Sequence, residues 1–87
     1  MITSHERSDI IHIMRMHHLG LIDSDSAQLS FAGKIKGEDY QINVLAVEDQ
    51  PRLSIKKGDE TLFNDTVRSI DDLKIFLEER LYNYIKG

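Results

Sequence analysis

All four histidines of this chain lie within residues 5–18, and two of them have a spacing that bears on metal binding. On an ideal helix that begins near residue 4, His5, Asp9 and His12 share one face because they stand at positions i, i+4 and i+7. Two imidazoles and a carboxylate suit zinc or another divalent ion with positions left open for water. The α-carbons of the two histidines would, however, be separated by about 10 Å along the helix axis. A solvated helix face is the simpler interpretation, and divalent-metal binding is kept as the second alternative function.

The other two histidines, His17 and His18, flank the apolar side of the same predicted helix. We expect His17 at the edge of the core, with one ring nitrogen hydrogen-bonded. Catalysis by a histidine requires a nucleophile or an acid partner in a cleft, and no nucleophile motif surrounds Ser24 or Ser26 in the segment that follows. The sequence therefore predicts no catalytic residue, no cofactor and a non-enzymatic protein.

Four basic residues are predicted on the outer face of the strands: Lys34, Lys36, Arg52 and Lys56. A basic sheet face attracts phosphate backbones. In this register the aromatic side chains of Phe31 and Tyr40 point to the opposite face, which removes base stacking as a binding mechanism. The net charge of −4 also argues against a general nucleic-acid binder. Nucleic-acid binding through the basic outer sheet face is therefore an alternative to the leading hypothesis.

The first element that positions these residues is a helix near the N-terminus. Thr3 and Glu6 have capping-box spacing, and apolar residues then recur every three to four positions. Gly20 suits the left-handed position that ends a helix, with Leu21 folding back onto the preceding turn. The sequence DSDS at residues 23–26 is predicted to be the loop after it.

Four segments then alternate between apolar and polar residues with the period of a β-strand: QLSFAGKI, YQINVLAV, RLSIKK and ETLFNDTV. Gly33 falls on the apolar side of the first segment, where a bulge or the close approach of another backbone is expected. The turns between the segments are short, which predicts an antiparallel meander in sequence order.

A second helix is predicted after the strands, because Ser69 and Asp72 repeat the capping-box spacing and a broad apolar stripe continues to Ile85. The order of elements is α-β-β-β-β-α. The predicted fold is α+β with two layers, a four-stranded antiparallel meander with the N- and C-terminal helices packed on one face. Residues 1–87 are expected to form a single α+β domain, because a chain of this length has no room for a second core.

Four apolar side chains remain after the predicted core is assigned: Leu45, Val47, Ile75 and Tyr82. The first two fall on the nominally polar sheet face, and the other two lie on the second helix away from its apolar stripe. Exposed apolar side chains mark interfaces, and a domain this small gains stability from added burial. The leading hypothesis is a small acidic protein-interaction module, an accessory protein of the regulatory, inhibitor or chaperone-like kind, that forms a homodimer through these residues.

Composition narrows the cellular setting of the protein. The chain has no cysteine, which excludes disulfides and thiolate zinc sites. No apolar run reaches the roughly 18 to 20 residues of a membrane span, and no basic flank followed by an apolar stretch indicates a secretory signal. We therefore expect a soluble cytoplasmic protein without membrane association.

Overall fold

A computed structural model describes residues 2–46 and 50–85 of the chain. Within those residues the elements are α1 (Ser4–Met16), β1 (Gly20–Ser24), β2 (Gln28–Ile35), β3 (Glu38–Leu45), β4 (Arg52–Lys57), β5 (Glu60–Thr66), α2 (Ile70–Glu79) and α3 (Tyr82–Ile85). The strands form one antiparallel sheet in the order β1-β2-β3-β4-β5. The predicted α+β class and meander are confirmed, but the sheet has five strands and the predicted count of four is wrong.

The core lies between the helices and one face of the sheet. Alternate residues of the three central strands point into it: Leu29, Phe31, Tyr40, Ile42, Val44, Leu53 and Ile55. The helices contribute Ile10, Ile13 and Met14 from α1, and Leu73, Phe76 and Leu77 from α2. All of these side chains belong to one cluster, and α1 contacts α2. Side chains alternate along a strand, so the other residues of these strands point to the opposite face of the sheet. No helix in the described part of the chain covers that face, which we call the open face.

The additional strand, β1, was hidden by a local irregularity. Its pairing with β2 shifts between Leu21 and Asp23, which places Ile22 in a β-bulge. A bulge breaks the alternation that identifies a strand. The adjacent apolar residues Leu21 and Ile22 therefore look like the end of a helix in the sequence. The predicted loop is wrong at Asp23 and Ser24, which belong to β1.

Both long helices begin at a capping residue, as predicted. Glu6 donates its N–H to Thr3 Oγ1 at 3.1 Å, and Thr3 donates its N–H to Glu6 Oε1 at 3.0 Å, which completes the capping box of α1. At α2, Asp72 donates its N–H to Ser69 Oγ at 3.1 Å. These bonds satisfy main-chain donors that have no partner within the helix.

The end of α1 lies two residues before the predicted position. His18 adopts the left-handed conformation with φ of 66°, and Gly20 opens β1 instead. His18 donates its N–H to the Arg15 carbonyl at 3.0 Å, and Leu19 donates its N–H to the Met14 carbonyl at 2.9 Å. This pair of bonds is the Schellman pattern, and the buried Leu19 is the apolar residue that turns back onto the helix.

The connection between α1 and β1 rests directly on β2. A Cβ atom at Gly33 would lie 2.5 Å from the His18 carbonyl oxygen and 3.0 Å from Leu19 Cδ2. Only glycine leaves room for this backbone, so the predicted close approach is confirmed. The next turn also depends on special backbone angles: Lys36 and Gly37 have φ of 52° and 82°, the signs of a type I′ hairpin.

The predicted second helix is divided in two. α2 ends at Glu79, and the N–H groups of Arg80 and Leu81 both reach the Phe76 carbonyl, at 2.8 and 3.0 Å. Leu81 is buried at this turn. No glycine or proline marks this break in the sequence. The turn is instead occupied by a core side chain, and α3 begins at the next residue.

Candidate interaction surfaces

Large apolar side chains are exposed at six positions in the described part of the chain: Met16, Leu21, Ile22, Leu45, Ile75 and Tyr82. They do not form one patch. Met16 and Tyr82 line a groove between the end of α1 and α3, which we call the α1–α3 groove. Ile75 lines a second groove between β5 and α2, the β5–α2 groove.

The α1–α3 groove consists of two adjoining concavities of about 180 and 450 Å³. Both are bordered by Met16, His17 and Tyr82. The other lining residues are His12, Ile13, His18, Ile35, Lys36, Glu78 and Ile85. Since Met16 is 70% and Tyr82 59% exposed, this groove presents an adaptable thioether and an aromatic ring to solvent, two groups that are enriched at protein interfaces.

His17 fixes the position of α1 in this groove. Its Nε2 atom lies 2.8 Å from the Leu77 carbonyl oxygen. A carbonyl only accepts hydrogen bonds, so Nε2 carries the proton and donates it. The predicted half-buried, hydrogen-bonded histidine at the core edge is confirmed, and the bond joins the end of α1 to α2.

Opposite charges border the α1–α3 groove. Lys36, in the turn between β2 and β3, lies at the smaller concavity, and Glu78, on α2, lies at the larger one. The apolar floor separates them. A copy related by a two-fold axis can therefore place its Glu78 toward Lys36, so the charge pattern is self-complementary.

The β5–α2 groove has a volume of about 510 Å³ and a mixed lining, half apolar and half polar or charged residues. Its lining residues are Phe63, Thr66, Val67, Arg68, Asp72, Ile75, Phe76 and Arg80. The ring centroids of Phe63 and Phe76 are 5.0 Å apart, and Tyr84 lies 5.8 and 5.9 Å from them. These contacts join the outermost strand to the helices and keep the apolar part of the lining in place.

Arginines stand at both ends of this second groove. Arg68 precedes the N-cap of α2, and Arg80 is its C-cap. Arg68 Nε lies 3.7 Å from Asp72 Oδ2; the Arg68 side chain is largely open to solvent, and the Asp72 side chain is partly exposed. Two guanidinium groups against one carboxylate give the groove a positive balance on a chain whose net charge is −4.

The free edge of β5 runs beside the β5–α2 groove. Val67 donates its N–H to the Pro51 carbonyl at 2.7 Å, toward β4. Since main-chain groups alternate along an antiparallel strand, those of Thr66 and Asn64 point to the free edge. The Thr66 N–H is engaged by Asp65 Oδ1 at 2.7 Å. Asn64 lies in the middle of the regular pairing of β5, between Phe63 and Asp65.

At the opposite edge, an aspartate of β1 likewise accepts the N–H of the next residue, and an arginine of α1 also covers the strand. The Ser24 N–H donates to Asp23 Oδ1 at 2.9 Å. Arg7 of α1 also reaches over this edge, where its guanidinium donates to Ser24 Oγ and, at 2.8 Å, to the Asp25 carbonyl. The end of β1 is therefore held by α1, whereas among the described residues the free edge of β5 is capped by its own aspartate alone.

Three of the four apolar residues predicted to form one interface are described, and they lie on separate surfaces. Tyr82 lines the α1–α3 groove and Ile75, 51% exposed, lines the β5–α2 groove. Leu45 is 36% exposed on the open face. Val47 lies outside the described residues. The break between α2 and α3 explains why Ile75 and Tyr82 do not share the single helix face that their spacing indicates.

The basic residues predicted on the outer sheet face are only partly where they were expected. Lys34, Arg52 and Lys56 are exposed on the open face, but Lys36 lies in the hairpin turn. Lys34 Nζ is 4.0 Å from the carboxylate of Asp39, its neighbour across the strands. Arg52 donates to Asn64 Oδ1 at 3.1 Å. The Asp39 carboxylate offsets the charge of Lys34, and Lys36 lies in the turn, so this face is less basic than the sequence indicates.

The open face also carries no exposed aromatic side chain in the described strands, since Phe31 and Tyr40 are buried as predicted. Base stacking, the usual sequence-independent grip on single strands, is therefore missing from this face.

The three residues of the metal hypothesis do not form a binding site. Asp9 Oδ2 lies 3.6 Å from His5 Nε2 and 3.2 Å from Lys74 Nζ, so a cation of the protein already occupies this carboxylate. His12 lies further along α1, beside a shallow groove with Asp9 and Lys74. Among residues 2–46 and 50–85, no group of three or more His, Asp or Glu side chains is arranged to hold a metal ion.

The ion pair also alters the acidity of Lys74. The hydrogen bond to the Asp9 carboxylate, reinforced by the charges of Asp9, Asp71 and Glu6, raises the pKa of Lys74 above its ordinary value of 10.5. Because Asp9 is on α1 and Lys74 on α2, the charged pair links the two long helices.

Comparison of the chain with models of protein families, with curated proteins and with solved structures gives no match. The helices in the described residues are too short or too polar to cross a membrane. We therefore infer a function from the two grooves. Sequence reasoning missed Met16, Arg68 and Arg80 as interface groups. Arg68 stands next to the predicted N-cap Ser69 in the sequence, but nothing in the sequence places Arg80 at a helix end, because the break after α2 falls inside the predicted second helix.

Proposed function

We propose that the protein is a non-enzymatic protein-interaction module that self-associates through the α1–α3 groove. The observation that carries the proposal is the joint exposure of Met16 and Tyr82 over two adjoining concavities. Burial of apolar surface is the driving force for association, and methionine and tyrosine supply much of it at protein interfaces.

A second copy of this chain is the occupant that the charges favour. Glu78 and Lys36 lie on opposite sides of the apolar floor, so a two-fold arrangement pairs unlike charges twice. A chain of 87 residues also buries a smaller fraction of its surface than a larger domain does. Self-association supplies the missing burial without any change of fold.

Sedimentation equilibrium tests this proposal directly. We expect a mass near twice 10.0 kDa for the unmodified chain and a shift toward the monomer for Tyr82→Lys and for Met16→Lys. Two variants are used because each removes apolar area from a different helix. Circular dichroism of both variants confirms that the fold is retained.

Leu45→Asp is the matched control, because Leu45 is an exposed apolar residue on the open face, away from the groove. It should sediment like the unmodified chain. A monomer at every concentration contradicts self-association. A dimer that survives both groove variants and dissociates with Leu45→Asp moves the interface to the open face.

A further inference from the structure

We propose that the β5–α2 groove binds an extended acidic segment of a partner protein, which lies beside β5 and places two carboxylates on Arg68 and Arg80. This site is separate from the self-association surface and does not depend on it. Three features of the groove support the proposal: the four apolar side chains in its lining, which form its floor, its terminal arginines and the adjacent strand edge.

The floor accepts apolar side chains. Phe63, Val67, Ile75 and Phe76 line it, and its volume of about 510 Å³ is in the range of sites that hold small ligands and peptide side chains. Ile75 is half exposed at its border, so a bound side chain would remove Ile75 from water. Alternate residues of an extended segment point to the same side and therefore reach this floor together.

The arginines set the charge and the length of the ligand. Arg68 and Arg80 stand 12 positions apart, beyond the two ends of α2, which corresponds to about 18 Å along the helix axis. An extended chain covers this distance in about five residues. The chemistry that fits is a segment with two acidic residues about five positions apart and apolar residues at alternate positions between them.

The strand edge supplies main-chain hydrogen bonds. Asn64 points its N–H and carbonyl groups away from β4. The shift in register between β4 and β5 falls between Thr61 and Phe63 on β5, so it precedes Asn64. A segment added here meets a regular stretch of strand over Phe63–Thr66. The Asp65 carboxylate covers the Thr66 N–H and limits the pairing to a short length. Such pairing gives orientation, while the arginines and the floor select the sequence.

The other edge of the sheet lacks the features that this ligand requires. At β1 the bulge interrupts the middle of the strand, and Arg7 covers its end. Its exposed residues Leu21 and Ile22 line none of the grooves described above. The acidic segment is therefore assigned to β5.

The test uses the isotopically labelled full chain and an array of synthetic peptides with blocked ends. In each peptide two glutamates about five residues apart flank alternating valine or phenylalanine positions. We expect amide chemical shifts to change in β5 and α2, and glutamate peptides to bind about tenfold more tightly than the same peptides with lysines. N-methylation of the amides that face Asn64 should weaken binding.

Arg80→Glu is the decisive variant and should reduce affinity about tenfold, while Arg15→Glu makes the same charge change on the exposed face of α1 and should not. The proposal is overturned if no peptide shifts β5 and α2, if glutamate and lysine peptides bind equally, or if both arginine variants behave alike. It is also overturned if the peptides dissociate the dimer, because the groove is then filled by a second copy. Tyr82→Lys should bind the peptides normally, so loss of the dimer and loss of this site are distinguishable.

Discussion

The two outer strands of the sheet, β1 and β5, each have an unpaired edge, and the main-chain groups of these edges are protected to different extents. Each strand carries an aspartate whose carboxylate accepts the outward N–H of the next residue, Asp23 for Ser24 and Asp65 for Thr66. Unpaired strand edges invite association with other chains, and charged groups placed there reduce that tendency. Within residues 2–46 and 50–85, only the edge of β1 is also covered by a hydrogen-bonding side chain from a helix, Arg7.

The difference lies in what surrounds each edge. β1 is exposed along its whole length and is held from above by α1. β5 is held from one side, where Phe63 packs against Phe76 and Tyr84, and this packing leaves a groove next to the strand. At β1 the polar contacts of Arg7 occupy hydrogen-bonding groups at the end of the strand. At β5 the aromatic packing involves side chains, so the outward main-chain groups of Asn64 stay accessible.

The largest expected effect concerns the attachment of β1. Gly33→Ala should lower the free energy of unfolding by about 3 kcal/mol, because the new methyl group meets the His18 carbonyl at 2.5 Å and backbone atoms must move. Urea denaturation followed by circular dichroism measures the change. Gly20→Ala is the control, since no atom lies within 4 Å of its Cβ position, and an equal loss there would contradict the explanation.

The attachment of β5 should be the next most sensitive. Phe63→Ala removes one ring of the aromatic trio and should lower the free energy of unfolding by about 2 kcal/mol. Leu21→Ala on β1 should cost less than about 1 kcal/mol, because that side chain is exposed. Equal losses for the two variants would show that both edges depend on apolar packing.

Removing the cover of β1 should have a smaller and more local effect. Arg7→Met keeps the length of the side chain and deletes the bonds to Ser24 and Asp25, at a cost of about 1 kcal/mol. Hydrogen exchange should accelerate at the amides of β1 and stay unchanged in β5. Unchanged exchange in β1 would mean that Arg7 does not hold this edge.

The two sides of the molecule are connected by the Asp9–Lys74 pair, and its contribution should depend on pH. Because the pKa of Lys74 is raised, the pair stabilises the folded chain fully below the ordinary lysine value of 10.5, and this stability is lost as pH rises through the raised value. The difference in stability between the unmodified chain and Lys74→Met should therefore shrink at alkaline pH. A difference that stays constant across that range would contradict the ion-pair explanation.

The smallest effect distinguishes strand pairing from simple side-chain docking at β5. Asp65→Ala frees the Thr66 N–H for a bound segment and should tighten binding of the glutamate peptides about threefold, the equivalent of one added hydrogen bond. Asp65→Asn, which keeps an acceptor for that N–H, serves as the control. Weaker or unchanged binding by the alanine variant would exclude pairing at this position.

Most of the architecture follows from the sequence, because the central strands obey simple alternation. The inward set from Leu29 to Ile55 is the predicted one, and the caps at Thr3 and Ser69 are the predicted caps. The errors occur where a local rule is broken. The bulge at Ile22 conceals β1, and a histidine takes the left-handed place usually held by glycine.

The grooves were harder to predict than the fold. The position of Tyr82 relative to Ile75 depends on a helix break at Leu81 that no glycine or proline announces. The pairing of Lys34 with Asp39 depends on the register of the β2–β3 hairpin, and that of Asp9 with Lys74, which are 65 residues apart in the sequence, on the packing of two helices. Sequence patterns therefore predict whether a side chain is exposed more readily than they predict which exposed side chains contact each other.

The consecutive order of the strands has a consequence for how the chain acquires its shape. Every sheet contact joins neighbouring segments, so hairpins can form early, while the contact between Asp9 and Lys74 joins positions 65 residues apart. Loop-closure entropy delays such distant contacts. The hairpins of the meander are therefore favoured to pair before α1 and α2 meet across its apolar face. Until the helices cover that face, its apolar side chains are open to association with other chains.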